Sequence, residues 1–219
     1  MKIAQNMTIG FGISFIGALP LGYLNLFGFD IYSSAGFLAF LNFLLGVVTV
    51  EMLVVAATLK GAMWLLSHKK LVLVMEILSI VFLLLFAASF LYKSNSTTSL
   101  FSYKQNSIHP YFLGLSLSAV NFFQISFWAG WNLVVVQTKK ISTKNALPYF
   151  YVLGTGLGTI GGIMAFVFGF DFIFGKTSAS VQWLNVVFPI LFIVLASIQL
   201  YKLYIKFDNN KSSPLHSSS

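Results

Sequence analysis

The chain has 219 residues, of which 58% are hydrophobic and only 8% are charged. Its mean hydropathy of +0.87 excludes an ordinary soluble domain and predicts an all-α integral membrane protein. The net charge of +8 comes from lysine alone, because the sequence contains no arginine, so we attribute it to membrane topology and expect no nucleic-acid partner. The absence of cysteine excludes disulfides, thiolate metal sites and thiol-based electron transfer.

Apolar runs occupy nearly the whole sequence, and each is close to the 20 or so residues that a helix needs to cross a bilayer. We predict one six-span domain at 1–205 with the lipid bilayer as its partner, and a short turn at 30–34 between the first two spans. The six predicted spans are 8–29, 36–59, 71–92, 111–136, 146–174 and 181–204. The serine-rich segment 206–219 is predicted to be a disordered cytoplasmic tail.

A polar connector at 93–110 divides the spans into a first repeat at about 8–92 and a second at about 111–204. Three spans on each side imply two three-helix repeats that are inverted relative to each other in the membrane. Faint sequence echoes support this arrangement, since Gly12 and Ser14 align with Gly114 and Ser116, and Gly46 aligns with Gly154. In each half we expect the first helix to be broken near mid-membrane, with the two broken stretches face to face.

Lysines are distributed unequally between the two sides of this six-span topology. Ten of the 13 fall on the side of the two termini, and three fall on the other side. Because cytoplasmic loops carry the excess of basic residues, both termini are predicted to be cytoplasmic.

The first span carries its own helix breakers, with Pro20 between Gly17 and Gly22. Proline removes a backbone donor and glycine leaves the backbone flexible, so the helix is expected to kink or unwind here. Unpaired backbone at membrane depth is tolerated where protein or a water-filled cavity satisfies it. Pro20, Gly22 and Asn25 are therefore candidate substrate-site residues, with a plain packing kink as the alternative.

Glu51 lies about fifteen residues into the second span, where an ionisable side chain is costly and usually faces the bundle interior or water. A carboxyl at this depth is suited to binding a coupling proton or a substrate ammonium group, and a structural hydrogen bond is the alternative. Glu76, near the start of the third span, is instead expected to pair with Lys69 or Lys70.

Polar side chains also mark the fourth span. Asn121 and Gln124 are three residues apart and share one helical face with Trp128, so they could present donors and acceptors to a substrate carboxylate or amide. Polar residues also join helices to one another, which is the competing explanation. The three histidines lie in loops or the tail, and no metal site is predicted.

Residues 15–25, with Pro20, and residues 112–121, which end in Asn121, resemble the first and fourth spans of the lysine-exporter (LysE/RhtB) family, in its divergent LysE-like branch. Leu19-Pro20 stands where the family usually has Gly-Pro, and Phe122 replaces the proline that follows the family's asparagine. The resemblance implies proton-driven export of amino acids or similar small metabolites across a bacterial plasma (inner) membrane. It also implies that Pro20 and Asn121 belong to the site.

The leading hypothesis is a secondary transporter that works by alternating access between two inverted halves, with no cofactor and no catalytic residues. Amide groups at a broken helix end would bind a carboxylate, and Glu51 would supply charge for an ammonium group or the coupling proton. A metal or cation exporter and a non-transport membrane assembly protein are the alternatives, and a homodimer is compatible with each. An enzyme is not favoured, because acid, base and nucleophilic residues do not cluster at one depth.

Overall fold

The computed structural model describes residues 2–19, 22–93, 108–174, 190, 193–201 and 203–205, and within these ranges all regular secondary structure is helical. An apolar helical segment, Ile193–Ile205, covers the end of the predicted sixth span, half of which lies outside the described residues, as does the whole 206–219 tail. The main helices are α1 (Lys2–Ala18), α2 (Tyr23–Ser67), α3 (Lys69–Lys93), α4 (Pro110–Ala119), α5 (Phe122–Gln137) and α6 (Leu147–Phe174).

The predicted first span is interrupted, as its proline and glycines indicated, because α1 ends at Ala18 and α2 begins at Tyr23. The predicted turn at 30–34 is wrong, since these residues are helical and the Ser34 hydroxyl donates to the Asp30 carbonyl at 2.7 Å. The chain bends instead at Gly36, whose φ of 82° and ψ of 179° interrupt α2. Glycine adopts this positive φ at no steric cost, which is why the bend falls there.

The predicted connector after the second span is also mostly helical, because α2 continues past Lys60 and Gly61 to Ser67. By length and apolar composition, Tyr23–Gly61 and Leu147–Ile173 are long enough to cross a membrane. The pair α4 and α5, bent by 67°, would make a third crossing. These helices agree with a helical membrane protein, whereas six spans in two inverted repeats stay a prediction.

The single fourth span predicted at 111–136 is in fact two helices, α4 and α5, separated at Val120 and Asn121. The 67° bend between them means that the first helix of the second half is broken, as is the first helix of the first half. Helices α3 and α6 begin and end within two residues of the bounds predicted for the third and fifth spans. Uninterrupted apolar runs flanked by polar residues made those two helices easy to place.

Helices α1 and α6 pack closely along most of α1. A Cβ at Gly10 would meet the backbone carbonyl of Tyr151, and one at Gly154 would meet that of Met7. Glycine is required at these two positions because only hydrogen fits between the backbones, as in other closely packed membrane helices. The contact aligns the polar side chains of α1 with those of α6.

Helices α2 and α4 pack in the same way. A Cβ at Gly46 would meet the carbonyl of Tyr111, and one at Gly114 would meet the carbonyl of Phe43. The main hydrophobic core lies beside this contact, where α2 also packs against α6. Its fully buried side chains include Phe29, Phe40, Phe43, Leu44 and Val47 of α2 and Val167 of α6.

Candidate functional site

Glu51 extends from the middle of α2 to a point where four helices meet. Its Oε1 accepts a hydrogen bond from Ser14 Oγ of α1 at 3.2 Å, and its Oε2 accepts one from Thr159 Oγ1 of α6 at 2.6 Å. The two hydroxyls also contact each other, with Ser14 Oγ and Thr159 Oγ1 2.5 Å apart. The side chain of Trp128 of α5 also lies close to the Glu51 carboxyl. We call Glu51, Ser14 and Thr159 the hydroxyl–carboxyl ring.

Close packing of α1 on α6 is what brings the two hydroxyls together. Gly158 lies against the backbone of Phe11 and Phe15, so the neighbouring Ser14 and Thr159 are pressed into contact. Both hydroxyl residues are buried, Ser14 at 3% and Thr159 at 3% exposure. A buried polar side chain is tolerated when it is hydrogen-bonded, and here Ser14, Thr159 and Glu51 are hydrogen-bonded to one another.

Three predicted site residues lie at the first break. Pro20 falls outside the described residues, and Gly22 has extended backbone with φ −113° and ψ 155° immediately before α2. The Asn25 side-chain amide donates to the Ala18 carbonyl at 2.8 Å, across the break. Because the last carbonyls of α1 have no partner within the helix, this bond stabilises the interrupted end.

The other two predicted residues lie at the second break, with a matching arrangement. Gln124 donates from its side-chain amide to the Ser118 carbonyl at 2.7 Å, across the break between α4 and α5. Asn121 precedes α5, is partly exposed and makes no side-chain capping bond to that helix. Its amide group is therefore not engaged in holding α5, unlike the amide of Gln124.

The two breaks lie next to each other. Tyr23, the first residue of α2, donates from its hydroxyl to the Leu117 carbonyl near the end of α4 at 2.8 Å. Ser14 lies four residues, about 6 Å, before the end of α1 at Ala18, and Trp128 lies six residues, about 9 Å, after the start of α5 at Phe122. The structure thus groups Gly22, Asn25, Asn121 and Gln124 at the breaks and places Glu51 about one to two helical turns away.

The sequence reasoning missed a second buried polar cluster, on the other side of Trp128. Asn132 donates to Thr58 Oγ1 at 2.9 Å and to the Val55 carbonyl at 3.1 Å, and it accepts from the Tyr151 hydroxyl at 2.9 Å. These bonds join α2, α5 and α6. An asparagine within an apolar run was the available signal, four residues beyond Trp128 on the same face.

A third polar contact fixes the start of α1. Asn6, 1% exposed, donates to the carbonyls of Ser142 at 2.9 Å and Leu147 at 2.8 Å and accepts from Ser142 N at 3.0 Å. Gln5 donates to the Lys140 carbonyl at 3.0 Å. The amino-terminal end of α1 therefore lies beside the lysine-bearing connector before α6, and Glu51 lies between this end of the molecule and the breaks.

Among the described residues, no group of three or more histidine, aspartate or glutamate side chains is placed to hold a metal ion. The groups that surround Glu51 are instead two hydroxyls and an indole, all of them uncharged. Chemically, the site can bind and release a proton on Glu51, and it can offer hydroxyl and amide groups to a small polar ligand.

Comparison with known proteins identifies one family. The family model described as LysE type translocator matches residues 15–203, which include both breaks, Glu51 and α6. No curated protein matches the chain, and no solved structure matches it either.

Proposed function

The chain belongs to the LysE family of membrane translocators, and from this we propose that it is a proton-coupled secondary transporter that exports amino acids or similar small metabolites. The observation that carries the proposal is the Glu51 carboxyl, held by Ser14 and Thr159 about one to two helical turns from two adjacent helix breaks. An ionisable group at this depth marks a proton or substrate pathway in membrane proteins.

The helix breaks suit the carboxylate of an amino acid. Both α2 and α5 begin at a break, and the Tyr23 to Leu117 hydrogen bond keeps the two breaks together. The N-terminal ends of helices carry partial positive charge and free amide groups, so they attract a carboxylate. We propose that Gly22 and Asn121 contact the substrate directly, and that Asn25 and Gln124 hold the two broken ends in position.

The packing supports alternating access between two helix pairs. Backbone-to-backbone contacts at glycines join α1 to α6 and α2 to α4, whereas the contact between the pairs is made by side chains. A Cβ at Gly156 of α6 would meet Met52 Sδ at 2.9 Å and Val48 Cγ1 at 3.1 Å, both on α2. Because methionine is flexible, this contact can change shape more easily than the glycine contacts. We propose that the α1–α6 pair moves against the α2–α4 pair.

The same pairing supports two inverted three-helix repeats within six spans. The first helix of each half packs on the helix that covers the second predicted span of the other half. Helix α1 packs on α6, and α4 packs on α2. The register that aligns Gly46 with Gly154 also aligns Glu51 with Thr159, since each pair is 108 positions apart. These two residues are hydrogen-bonded to each other, as residues near a pseudo-twofold axis would be. We propose an inner-membrane location with both termini cytoplasmic.

The test is transport by the purified protein in proteoliposomes, with a panel of labelled amino acids and an imposed pH gradient. The wild-type chain is expected to move at least one of them against its gradient, and E51Q is expected to abolish that flux without lowering the amount of inserted protein. The control E76Q removes a carboxyl from α3 and leaves the hydroxyl–carboxyl ring intact, so its flux should equal that of the wild type. Equal flux in E51Q and wild type would reduce Glu51 to a structural residue.

A further inference from the structure

We infer that the hydroxyl–carboxyl ring is a proton-binding site whose bound proton is shared among Glu51, Ser14 and Thr159, and that it is occupied in this conformation. That the bound proton is the coupling proton rests on the proposed transport function. Ser14 and Thr159 are then positioning residues for the proton, a role that goes beyond a carboxyl merely buried in a helix bundle.

With an ionised Glu51, the ring has fewer hydrogens than contacts to be filled by them. The ring has three oxygen pairs within hydrogen-bonding distance, at 3.2 Å for Ser14 to Glu51, 2.6 Å for Thr159 to Glu51 and 2.5 Å for Ser14 to Thr159. Each hydroxyl carries one hydrogen, and an ionised carboxylate carries none. Two hydrogens cannot fill three contacts, and two oxygens 2.5 Å apart without a hydrogen between them repel each other.

A protonated Glu51 supplies the missing hydrogen. The carboxyl then donates from Oε1 to Ser14, which reverses the direction that this bond has with an ionised carboxylate. Ser14 donates to Thr159 and Thr159 donates to Oε2, so every contact in the ring is filled. No spare hydrogen comes from elsewhere in the ring, because Thr159 Oγ1 also lies 3.2 Å from the Thr155 carbonyl and could only lose its hydrogen to that acceptor.

Among the residues that the structure describes, the groups that face Glu51 offer no other charge to balance an ionised carboxylate. They are Ser14 from α1, Trp128 from α5 and Thr159 from α6. The next titratable side chain along α6 from Thr159 is that of Tyr151, about two helical turns away. Its hydroxyl donates a hydrogen bond to Asn132. The ring is therefore a site for one proton and not one half of an ion pair.

Loss of the proton has a mechanical consequence. Ser14 and Thr159 lie on helices joined through glycine, so they cannot easily move apart, whereas Glu51 belongs to the other helix pair. After proton loss, the two remaining hydrogens fill the Ser14–Thr159 contact and one contact to Glu51, so the contact that opens is the longest one, between Ser14 and Glu51 at 3.2 Å. Proton release in this way loosens the α2–α4 pair from the α1–α6 pair.

The test is an infrared difference spectrum of the reconstituted protein between acidic and alkaline buffer, recorded without substrate. The chain has only five aspartate and glutamate residues, so the carbonyl band of a protonated carboxyl can be assigned by substitution. We expect a band that is lost in E51Q, shifted in T159V and S14A, and unchanged in T159S, which keeps the hydroxyl. The T159S and T159V pair carries the test should E51Q fail to fold.

A band that is present in E51Q, or that has the same frequency in T159V and T159S, would overturn the inference. Because no substrate is used, this result is independent of transport. Absence of amino-acid flux together with the expected band would reject the proposed function and leave the proton site in place. Amino-acid flux together with an unshifted band in T159V would support the proposed function and reject the shared-proton site.

Discussion

The first and second halves of the molecule share three structural features and differ at one aligned pair of positions. Each half begins with a broken helix, bridges the break with a side-chain amide and packs through glycine against the other half. The aligned positions 51 and 159, however, hold a carboxyl in the first half and a hydroxyl in the second. In the proposed inverted repeat, a single ionisable group beside the pseudo-twofold axis can serve both orientations of a transporter, whereas two carboxyls there would repel each other.

The comparison is tested most strongly by moving the carboxyl to the other half. E51T alone should abolish pH-driven flux, as E51Q should, because threonine cannot bind and release the coupling proton. E51T combined with T159E restores a carboxyl to the equivalent place and should recover measurable pH-driven flux in proteoliposomes. Flux no higher in the double variant than in E51T would show that the two positions are not equivalent.

The glycine contacts are tested by adding one methyl group to each helix pair, α1–α6 and α2–α4. G10A in α1 and G46A in α2 each force a Cβ against backbone atoms of the partner helix, and each should lower stability by about 1–3 kcal/mol. The measurement is the thermal midpoint of the detergent-solubilised protein. A loss of stability in only one of the two variants would mean that the two helix pairs are not equally rigid.

Matched controls for this experiment lie on the same two helices. A Cβ at Gly12 of α1 or at Gly61 of α2 would have no neighbouring heavy atom within 4 Å. G12A and G61A should therefore leave the midpoint unchanged or raise it, because alanine favours the helix over glycine.

The smallest expected effect concerns the two amides that bridge the breaks. N25A and Q124A should each lower stability by about 1 kcal/mol, because N25A removes the side-chain donor to the Ala18 carbonyl and Q124A leaves the Ser118 carbonyl with only the Asn121 backbone N–H at 3.1 Å. The control N42A removes an amide that donates only to Leu38 within its own helix, and should change the midpoint less. Flux lost in N25A or Q124A at an unchanged midpoint would instead identify that residue as a substrate contact.

Much of this architecture could be predicted from the sequence. Apolar runs placed α3 and α6, and the proline and glycine near residue 20 predicted the first helix break. Glu51 stood out because a lone carboxyl in an apolar span is rare. The turn at 30–34 was misplaced because serine and aspartate favour turns in water, whereas here they lie within a helix and the bend falls at Gly36.

The sequence by itself determined that the chain is a helical membrane protein with broken helices and one deeply placed carboxyl, because those properties depend on local composition and backbone chemistry. The partners of that carboxyl were decided only by tertiary structure. Ser14 and Thr159 are 145 positions apart and meet because glycines allow α1 and α6 into backbone contact. Asn25 and Gln124, candidates for substrate contacts, were likewise engaged by the helix ends that the breaks left unsatisfied. Which polar group pairs with which depends on the packing of distant helices, and no local pattern encodes that.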